Sequence, residues 1–198
     1  MSDKRLNIIS EYNYIVWLPE KTATNHAFEL LKNYNICPHI FKENVLVKLP
    51  QTFNNHECHL FEGHEKYKLM TTARNPYSWL VSYYLFSNSE ISYETFYDFV
   101  CYAIRNNSSK KFKYNERIPD YFVRSENLVE DYSKIPFIRD SDFFKSGDLE
   151  SFCKTKINAA KESYDFRDYY DEMTADLVYY NFSKYFDLLG YDKNSWKK

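Results

Sequence analysis

The segment "YIVWLPEKTATNHAFELL", residues 14–31, decides the fold, because a strand pattern passes into a helix pattern through a polar loop. Residues 14–18 are β-branched, aromatic or aliphatic and end at Pro19, which is typical of a buried strand. The later apolar residues share one helix face: Ala27, Phe28, Leu30 and Leu31. Thr22 or Thr24 is suited to cap this helix. The loop therefore occupies the position of a phosphate-binding loop, where the first helix amides lack internal partners.

A second strand-to-helix junction follows in "YKLMTTARNPYSWLVSYYLF", residues 67–86, where Pro76 suits the first turn of a helix. Elsewhere the pattern predicts strands at 44–49 and 121–123. It predicts helices at 92–105, capped by Ser92, from near Glu126, and at 174–189, closed by Gly190. Residues 135–165 are predicted to be irregular. Strands that alternate with helices predict an α/β fold with three layers, a mostly parallel central sheet and flanking helices. A length of 198 residues suits a single domain.

Composition restricts the class of protein. The formal charge of −2 gives no global basic field, so we expect no binding to nucleic acid or to an anionic membrane. The four cysteines are widely spaced and form no CxxC pair, which favours free thiols over a zinc or redox site. The N-terminus lacks the apolar core of a signal peptide, and no stretch reaches the ~18 apolar residues of a membrane span. A cytoplasmic location is the expectation.

Two groups of polar residues are candidates for anion binding. Lys21 offers a positive charge beside the amides of residues 22–25 and two threonine hydroxyls, although the Walker glycines are absent. Arg74 and Ser82, eight positions apart, share one helix face after the third strand and are suited to a second phosphate. The alternatives are a capping threonine with a solvated lysine, and an arginine paired with a carboxylate beside a packed serine.

These two stretches, "LPEKTATNHAFELL" and "TTARNPYSWLVSYYLF", resemble the 5′-phosphosulfate loop and the 3′-phosphate motif of the sulfotransferases. "YFVRSENLVEDY" and "YYDEMTADLVYYNFSKYFDLLGYD" are similar, in the same order, to a later strand and the C-terminal helix of the carbohydrate-type members. The likeness covers residues from about 14 to 192. It implies a single sulfotransferase-like, P-loop-like domain over residues 1–198.

The resemblance also implies a donor, 3′-phosphoadenosine 5′-phosphosulfate (PAPS), whose product is adenosine 3′,5′-bisphosphate (PAP), with no metal required. The acceptor is a hydroxyl, with a saccharide expected. The 5′-phosphosulfate contacts are Lys21, Thr22, Ala23, Thr24 and Asn25, the 3′-phosphate contacts are Arg74 and Ser82, and weaker nucleotide contacts are Asn158 and Lys161. Lys21 has a catalytic role as well, since charge grows on the departing oxygen. The chain departs from the pattern at Trp79, where many relatives carry a second arginine.

A hydroxyl acceptor needs a general base, and the segment "NNHECHLFEGHEKY" holds three of the five histidines. His56 is the first candidate and His59 the second, with His64 and His26 ranked lower and Glu57 and Glu62 as acidic alternatives. The HxCxH spacing with Cys58 does not match common zinc sites, so no metal site is predicted. A simple exposed loop is the other interpretation of this segment.

A basic loop, "SSKKFKYNER", is a further candidate for acceptor binding, through Lys110, Lys111, Lys113 and Arg117. A solvated loop is the ordinary outcome for such a run. Two other functions stay open at the level of sequence. One is a small P-loop kinase, which the missing Walker glycines disfavour. The other is a catalytically silent nucleotide-binding protein of the same fold.

Overall fold

A computed structural model describes residues 4–19, 21–32, 36–42, 45–48, 63–87, 93–106, 117–154 and 164–198. Its strands are β1 (Lys4–Ile9), β2 (Tyr14–Trp17), β3 (Ile36–Lys42), β4 (Val45–Lys48), β5 (Lys68–Ala73) and β6 (Tyr121–Arg124). Its α-helices are α1 (Thr24–Leu31), α2 (Pro76–Ser87), α3 (Phe96–Arg105), α4 (Leu128–Ser133), α5 (Pro136–Arg139), α6 (Asp142–Lys145), α7 (Asp148–Lys154) and α8 (Glu172–Leu189). Among the described residues, short 3₁₀ helices lie at His64–Lys66 and Phe166–Tyr169.

The described strands form one open sheet in the order β4-β3-β1-β2-β5-β6. β5 pairs in parallel with both β2 and β6, with Trp17 opposite Thr71 and Ala73 opposite Arg124. Across the four strands β1, β2, β5 and β6 the sheet is therefore mostly parallel, which confirms the predicted α/β class. β3 and β4 extend it with antiparallel pairs, so the parallel prediction holds only for the part that carries the two junctions.

The chain divides into two compact units, each built from two stretches of sequence. The first, which we call the sheet unit, consists of Met1–Ala73 and Lys113–Ala159. The second, which we call the helical unit, consists of Arg74–Phe112 and Ala160–Lys198. The expectation of a single sulfotransferase-like domain over residues 1–198 stays a prediction.

The sheet unit has an apolar core between its strands and the helices α1, α4, α5 and α7. The strands contribute Ile9, Val16, Met70 and Val123, and the helices contribute Ala27, Leu30, Leu31, Tyr132, Ile138 and Leu149. Each large apolar side chain buried in this way stabilises the fold by about 1.5–3 kcal/mol relative to exposure. The prediction of irregular structure over 135–165 is wrong up to residue 154, because α5, α6 and α7 occupy that stretch.

The helical unit packs α2, α3 and α8 through aromatic side chains. Tyr77 of α2 contacts Phe186 of α8 edge to face at 4.9 Å, and Trp79 lies 6.1 Å from Phe182. The predicted helix over 92–105 begins later, because Thr95 accepts a hydrogen bond from the Asp98 amide and acts as its cap; Ser92 lies outside the described residues. α8 ends at Gly190 with a positive φ of 71°, as predicted. Of the described helices, none combines the length and apolarity that a membrane crossing requires.

Candidate functional site

The junction between β2 and α1 contains two non-glycine residues in the left-handed backbone region. Lys21 has a φ of 63° and Ala23 a φ of 62°. Each such residue costs about 1–2 kcal/mol, and strain of this kind persists where the surrounding structure imposes it, often at binding sites. The loop lacks the Walker glycines, yet its backbone takes a conformation that glycine adopts without strain.

The N-cap position of α1 belongs to Ala23, and no described side chain caps the helix. The prediction that Thr22 or Thr24 caps α1 is therefore wrong. The physical reason is that both hydroxyls turn back toward the strand: each donates a hydrogen bond to the Pro19 carbonyl, at 2.6 Å for Thr22. The first amides of α1 thus receive no acceptor from the threonines that precede or begin the helix.

Thr22 is fully buried and holds the loop in place. Its hydroxyl lies 2.6 Å from the Thr72 hydroxyl of β5, in addition to its bond with Pro19. The sequence analysis missed Thr72, although two consecutive threonines at the end of a strand that neighbours the loop were a usable signal. Because the Thr22 hydroxyl is occupied in this way, Thr22 can offer an anion its backbone amide.

The electrostatics of this junction favour an anion. The first three amides of α1 belong to Thr24, Asn25 and His26, and the helix dipole places partial positive charge at this end of the helix. Lys21 and Ala23 are half-buried and Asn25 is exposed, so solvent reaches the loop. An anion at a helix N-terminus gains about 0.3–1 kcal/mol from the dipole at a surface, and up to ~2 kcal/mol when partly buried. The predicted 5′-phosphosulfate residues, Lys21 to Asn25, thus lie together in the sheet unit.

At the junction between β5 and α2, a side chain of the junction itself caps the helix. The Asn75 side-chain oxygen accepts a hydrogen bond from the Tyr77 amide at 2.9 Å, and Pro76 occupies the first helical position. The Asn75 amide group also donates to the Ser195 hydroxyl at 2.8 Å. Asn75 is therefore the N-cap of α2, which sequence analysis did not identify.

Arg74 is held by a serine that sequence analysis missed. The Nε atom of Arg74 donates to the Ser78 hydroxyl at 2.8 Å, and Ser78 donates to the Asn75 carbonyl at 3.3 Å. Ser82 lies one helical turn beyond Ser78 and is half-buried. Ser78 could have been identified because it is four residues from Arg74, and residues four apart are neighbours on a helix surface. Ser82, which the sequence suggested, is eight residues from Arg74. Arg74, Ser78 and Ser82 thus follow one another at intervals of four residues in the helical unit.

A third basic residue, Arg124, lies at the end of β6, and its guanidinium group is paired with a carboxylate. It forms a bidentate ion pair with the buried Asp131 at 2.8 Å for both contacts, and its own amide donates to the same carboxylate. Burial acts to raise the pKa of Asp131, but the hydrogen bonds from Arg124 and Lys134 outweigh it and lower that pKa. Asp131 of α4 is thus the carboxylate that holds the Arg124 guanidinium in place.

The remaining candidates have different outcomes. His56, His59, Asn158, Lys161, Lys110, Lys111 and Lys113 lie outside the described residues. Arg117 is described and has a structural role, because it donates to the carbonyls of His64 and Tyr67 and pairs with Asp120 at 2.7 Å. His26 packs into the core of the sheet unit. Within the described ranges no group of three His, Cys, Asp or Glu residues is arranged to hold a metal ion.

Comparison with other proteins adds no relative. The chain matches no protein-family model, no curated protein and no solved structure.

Proposed function

We propose that this protein is a sulfotransferase that moves a sulfuryl group from PAPS to an acceptor hydroxyl, with a saccharide as the expected acceptor. The observation that carries the proposal is the β2–α1 junction, where α1 begins without a side-chain cap beside Lys21. Such an N-terminus suits a multiply charged anion. The resemblance of "LPEKTATNHAFELL" to a phosphosulfate loop supports the identity of that anion.

The 5′-phosphosulfate would accept hydrogen bonds from the amides of Thr22, Ala23, Thr24 and Asn25. The acceptor oxygen attacks sulfur in line, a new S–O bond forms, and the bond from sulfur to the bridging phosphate oxygen breaks. Negative charge therefore grows on the departing bisphosphate, and Lys21 would neutralise it. The acceptor proton passes to a base, for which His56 or His59 remains the prediction.

The assignment of Arg74 and Ser82 to the 3′-phosphate rests on the resemblance of "TTARNPYSWLVS" to the family motif. The Arg74–Ser78 hydrogen bond supports this role to the extent that it orients the guanidinium at the start of α2. Asn158 and Lys161 stay weaker nucleotide contacts in this proposal. A three-layer, P-loop-like arrangement is likewise part of the proposal.

Calorimetric titration of the wild-type protein with PAP tests the donor site. We expect saturable binding in the absence of magnesium, lost or strongly weakened in Lys21→Ala. Lys32→Ala is the matched control, because Lys32 ends the same helix, is exposed and pairs with Glu29. Absence of PAP binding by the wild type would contradict the proposal. Binding of ATP that requires magnesium would favour a kinase instead.

Transfer itself is tested with PAPS labelled in its sulfuryl group and a panel of saccharide, tyrosyl-peptide and phenol acceptors. We expect labelled product with at least one saccharide. PAP binding without transfer to any acceptor would favour a catalytically silent nucleotide-binding protein.

A further inference from the structure

The core of the sheet unit contains two buried polar atoms that the described residues leave without a hydrogen-bond partner. They are Nδ1 of His26 and the hydroxyl of Tyr132. His26 is 5% exposed and Tyr132 is fully buried. A buried polar atom without a partner costs about 1–3 kcal/mol, so two of them in one place need a physical explanation.

The two atoms belong to one cluster of side chains. The His26 ring lies 6.3 Å from the Tyr132 ring, nearly parallel to it at 19°, and 4.5 Å from the ring of Phe152. These residues come from α1, α4 and α7, all within the sheet unit. His26 is also the third residue of α1, so its backbone amide is one of the open amides at the candidate anion site.

The hydrogen bonding of the imidazole indicates its tautomer. Nε2 of His26 lies 3.4 Å from the Phe152 carbonyl, which can only accept, so Nε2 carries the proton. Nδ1 of the neutral ring is then an acceptor, while the Tyr132 hydroxyl is a donor. The two unpartnered atoms are therefore complementary to each other.

We propose that neutral His26 fixes the first turn of α1 against α4 and α7, by donating to the Phe152 carbonyl and accepting a hydrogen bond from one buried water that the Tyr132 hydroxyl also contacts. Protonation of His26 would bury a positive charge and would remove the acceptor at Nδ1. The first turn of α1, and with it the anion site, would then lose its support. The part of this inference that concerns the anion site rests on the proposed function; the part that concerns stability does not.

The surroundings of His26 contain other titratable groups, but these do not change their charge near neutral pH. Burial raises the pKa of Tyr132 well above its usual range, and burial raises the pKa of the Cys153 thiol of α7 to about 11. Asp131, next to Tyr132 on α4, is held by Arg124 and Lys134. Burial lowers the pKa of His26.

The sign of the pH effect follows from this lowered pKa. As the pH falls below the ordinary pKa of histidine, the unfolded chain binds a proton before folded His26 does. Stability contributed by neutral His26 is therefore complete above that ordinary value and is lost as the pH falls toward the lower pKa of the folded state.

Side-chain NMR of the full chain provides the first test. We expect the Nε2–H tautomer for His26 and a titration midpoint below 6.5, the ordinary histidine value. A Nδ1–H tautomer, or a midpoint at or above that value, would overturn the proposal.

Urea unfolding at pH 7.5 and pH 5.0 provides the second test. The midpoint of the wild type should fall at the lower pH, and the fall should be smaller in His26→Phe. In His64→Gln, which alters a histidine outside this cluster, the full fall should remain. Equal falls in wild type and His26→Phe would contradict the proposal.

Tyr132→Phe tests the hydroxyl even if His26→Phe fails to fold. It should lower the midpoint at pH 7.5, because the buried water next to Nδ1 then loses its contact with the hydroxyl. An unchanged or higher midpoint would mean that the hydroxyl had no partner and would overturn the pairing. If PAP fails to bind at either pH, the proposed function fails, whereas these stability measurements still decide the role of His26.

Discussion

The two strand-to-helix junctions differ in how they treat the first helix amides, which have no partner within the helix. At the β5–α2 junction Asn75 caps the helix, Pro76 occupies the first position, and Arg74 bonds to Ser78. At the β2–α1 junction the cap position holds Ala23 in the left-handed region, and the nearby threonine hydroxyls bond to Pro19 instead of the helix. The β5–α2 junction thus caps its helix with its own side chain, whereas in the part of the chain that the structure describes no side chain caps α1.

Backbone strain and a missing cap at a helix N-terminus are features that indicate a candidate binding site even without glycines. A capped helix gains about 1 kcal/mol from its capping side chain. The β2–α1 junction forgoes this gain and in addition carries two strained residues, Lys21 and Ala23. Structure that loses stability in this way is expected where binding requires it. We therefore infer that the β2–α1 junction serves binding and that the cap at the β5–α2 junction serves folding.

The largest effect is expected for Lys21→Ala in sulfuryl transfer. Removal of a charge that stabilises a developing oxyanion costs about 3 kcal/mol in the barrier, a fall of roughly 10²–10³ in rate. Stability should change little, because alanine keeps the same left-handed strain and the side chain is not in the core. Steady-state transfer rates measure the first effect and urea unfolding the second. Lys32→Ala, at the other end of the helix, should leave the rate unchanged; an equal loss there would contradict a specific role for Lys21.

The second largest effect is expected for Thr22→Val, which removes the bonds from a buried hydroxyl to Pro19 and Thr72. The free energy of unfolding should fall by about 2 kcal/mol, because the Thr72 hydroxyl loses its partner in a dry site. Chemical denaturation measures this change. In the control Thr24→Val the loss should be smaller, since the Pro19 carbonyl keeps its bond from Thr22. Equal losses would show that Thr22 does not hold the loop.

A smaller effect is expected for Asn75→Ala at the capped junction. Loss of the cap should lower the free energy of unfolding by about 1 kcal/mol, with a further contribution from the bond to Ser195. Asn181→Ala is the matched control, because the exposed Asn181 bonds only to a carbonyl within α8 among its described contacts. Its stability should be unchanged or slightly higher. A neutral Asn75→Ala would remove the contrast between the junctions.

The smallest effect is expected for Ala23→Gly, and its sign is opposite. Glycine relieves about 1–2 kcal/mol of left-handed strain, while its greater freedom in the unfolded chain costs about 0.4–1 kcal/mol. We expect a net gain in stability of about 0.5 kcal/mol by thermal or urea unfolding. Ala27→Gly, in the same helix but buried and right-handed, should instead lose about 1 kcal/mol or more. A loss in both variants would mean that Ala23 is not strained.

The strands that sequence predicted were those with an uninterrupted apolar run, β2, β4, β5 and β6. β1, "KRLNII", was missed because charged and polar residues break its pattern. β3 was missed because Pro38 lies within it, in register with Asn7 of β1, and proline within a run argues against a strand with two neighbours. Tertiary pairing on both sides overrides that local preference.

The candidate loop was found from residue types, but its geometry was not. A serine or threonine before a helix ordinarily indicates a helix cap. Nothing in the sequence "KTAT" indicates that both threonine hydroxyls donate to the Pro19 carbonyl instead. Ser78 and Thr72 were missed because their partners, Arg74 and Thr22, are chosen by backbone geometry that sequence does not contain. Local patterns thus located the site, and long-range contacts determined its hydrogen bonding.

We propose that the first turn of α1 binds an anion, whereas Asn75 already caps the first turn of α2. Amide NMR of the full chain, titrated with PAP, tests this claim directly. We expect saturable shifts of the Thr22, Ala23, Thr24, Asn25 and His26 amides, with the Tyr77 amide still bonded to Asn75 at saturation. Saturation that leaves the Thr22 to His26 amides unmoved, or no saturable shift at all, would contradict it.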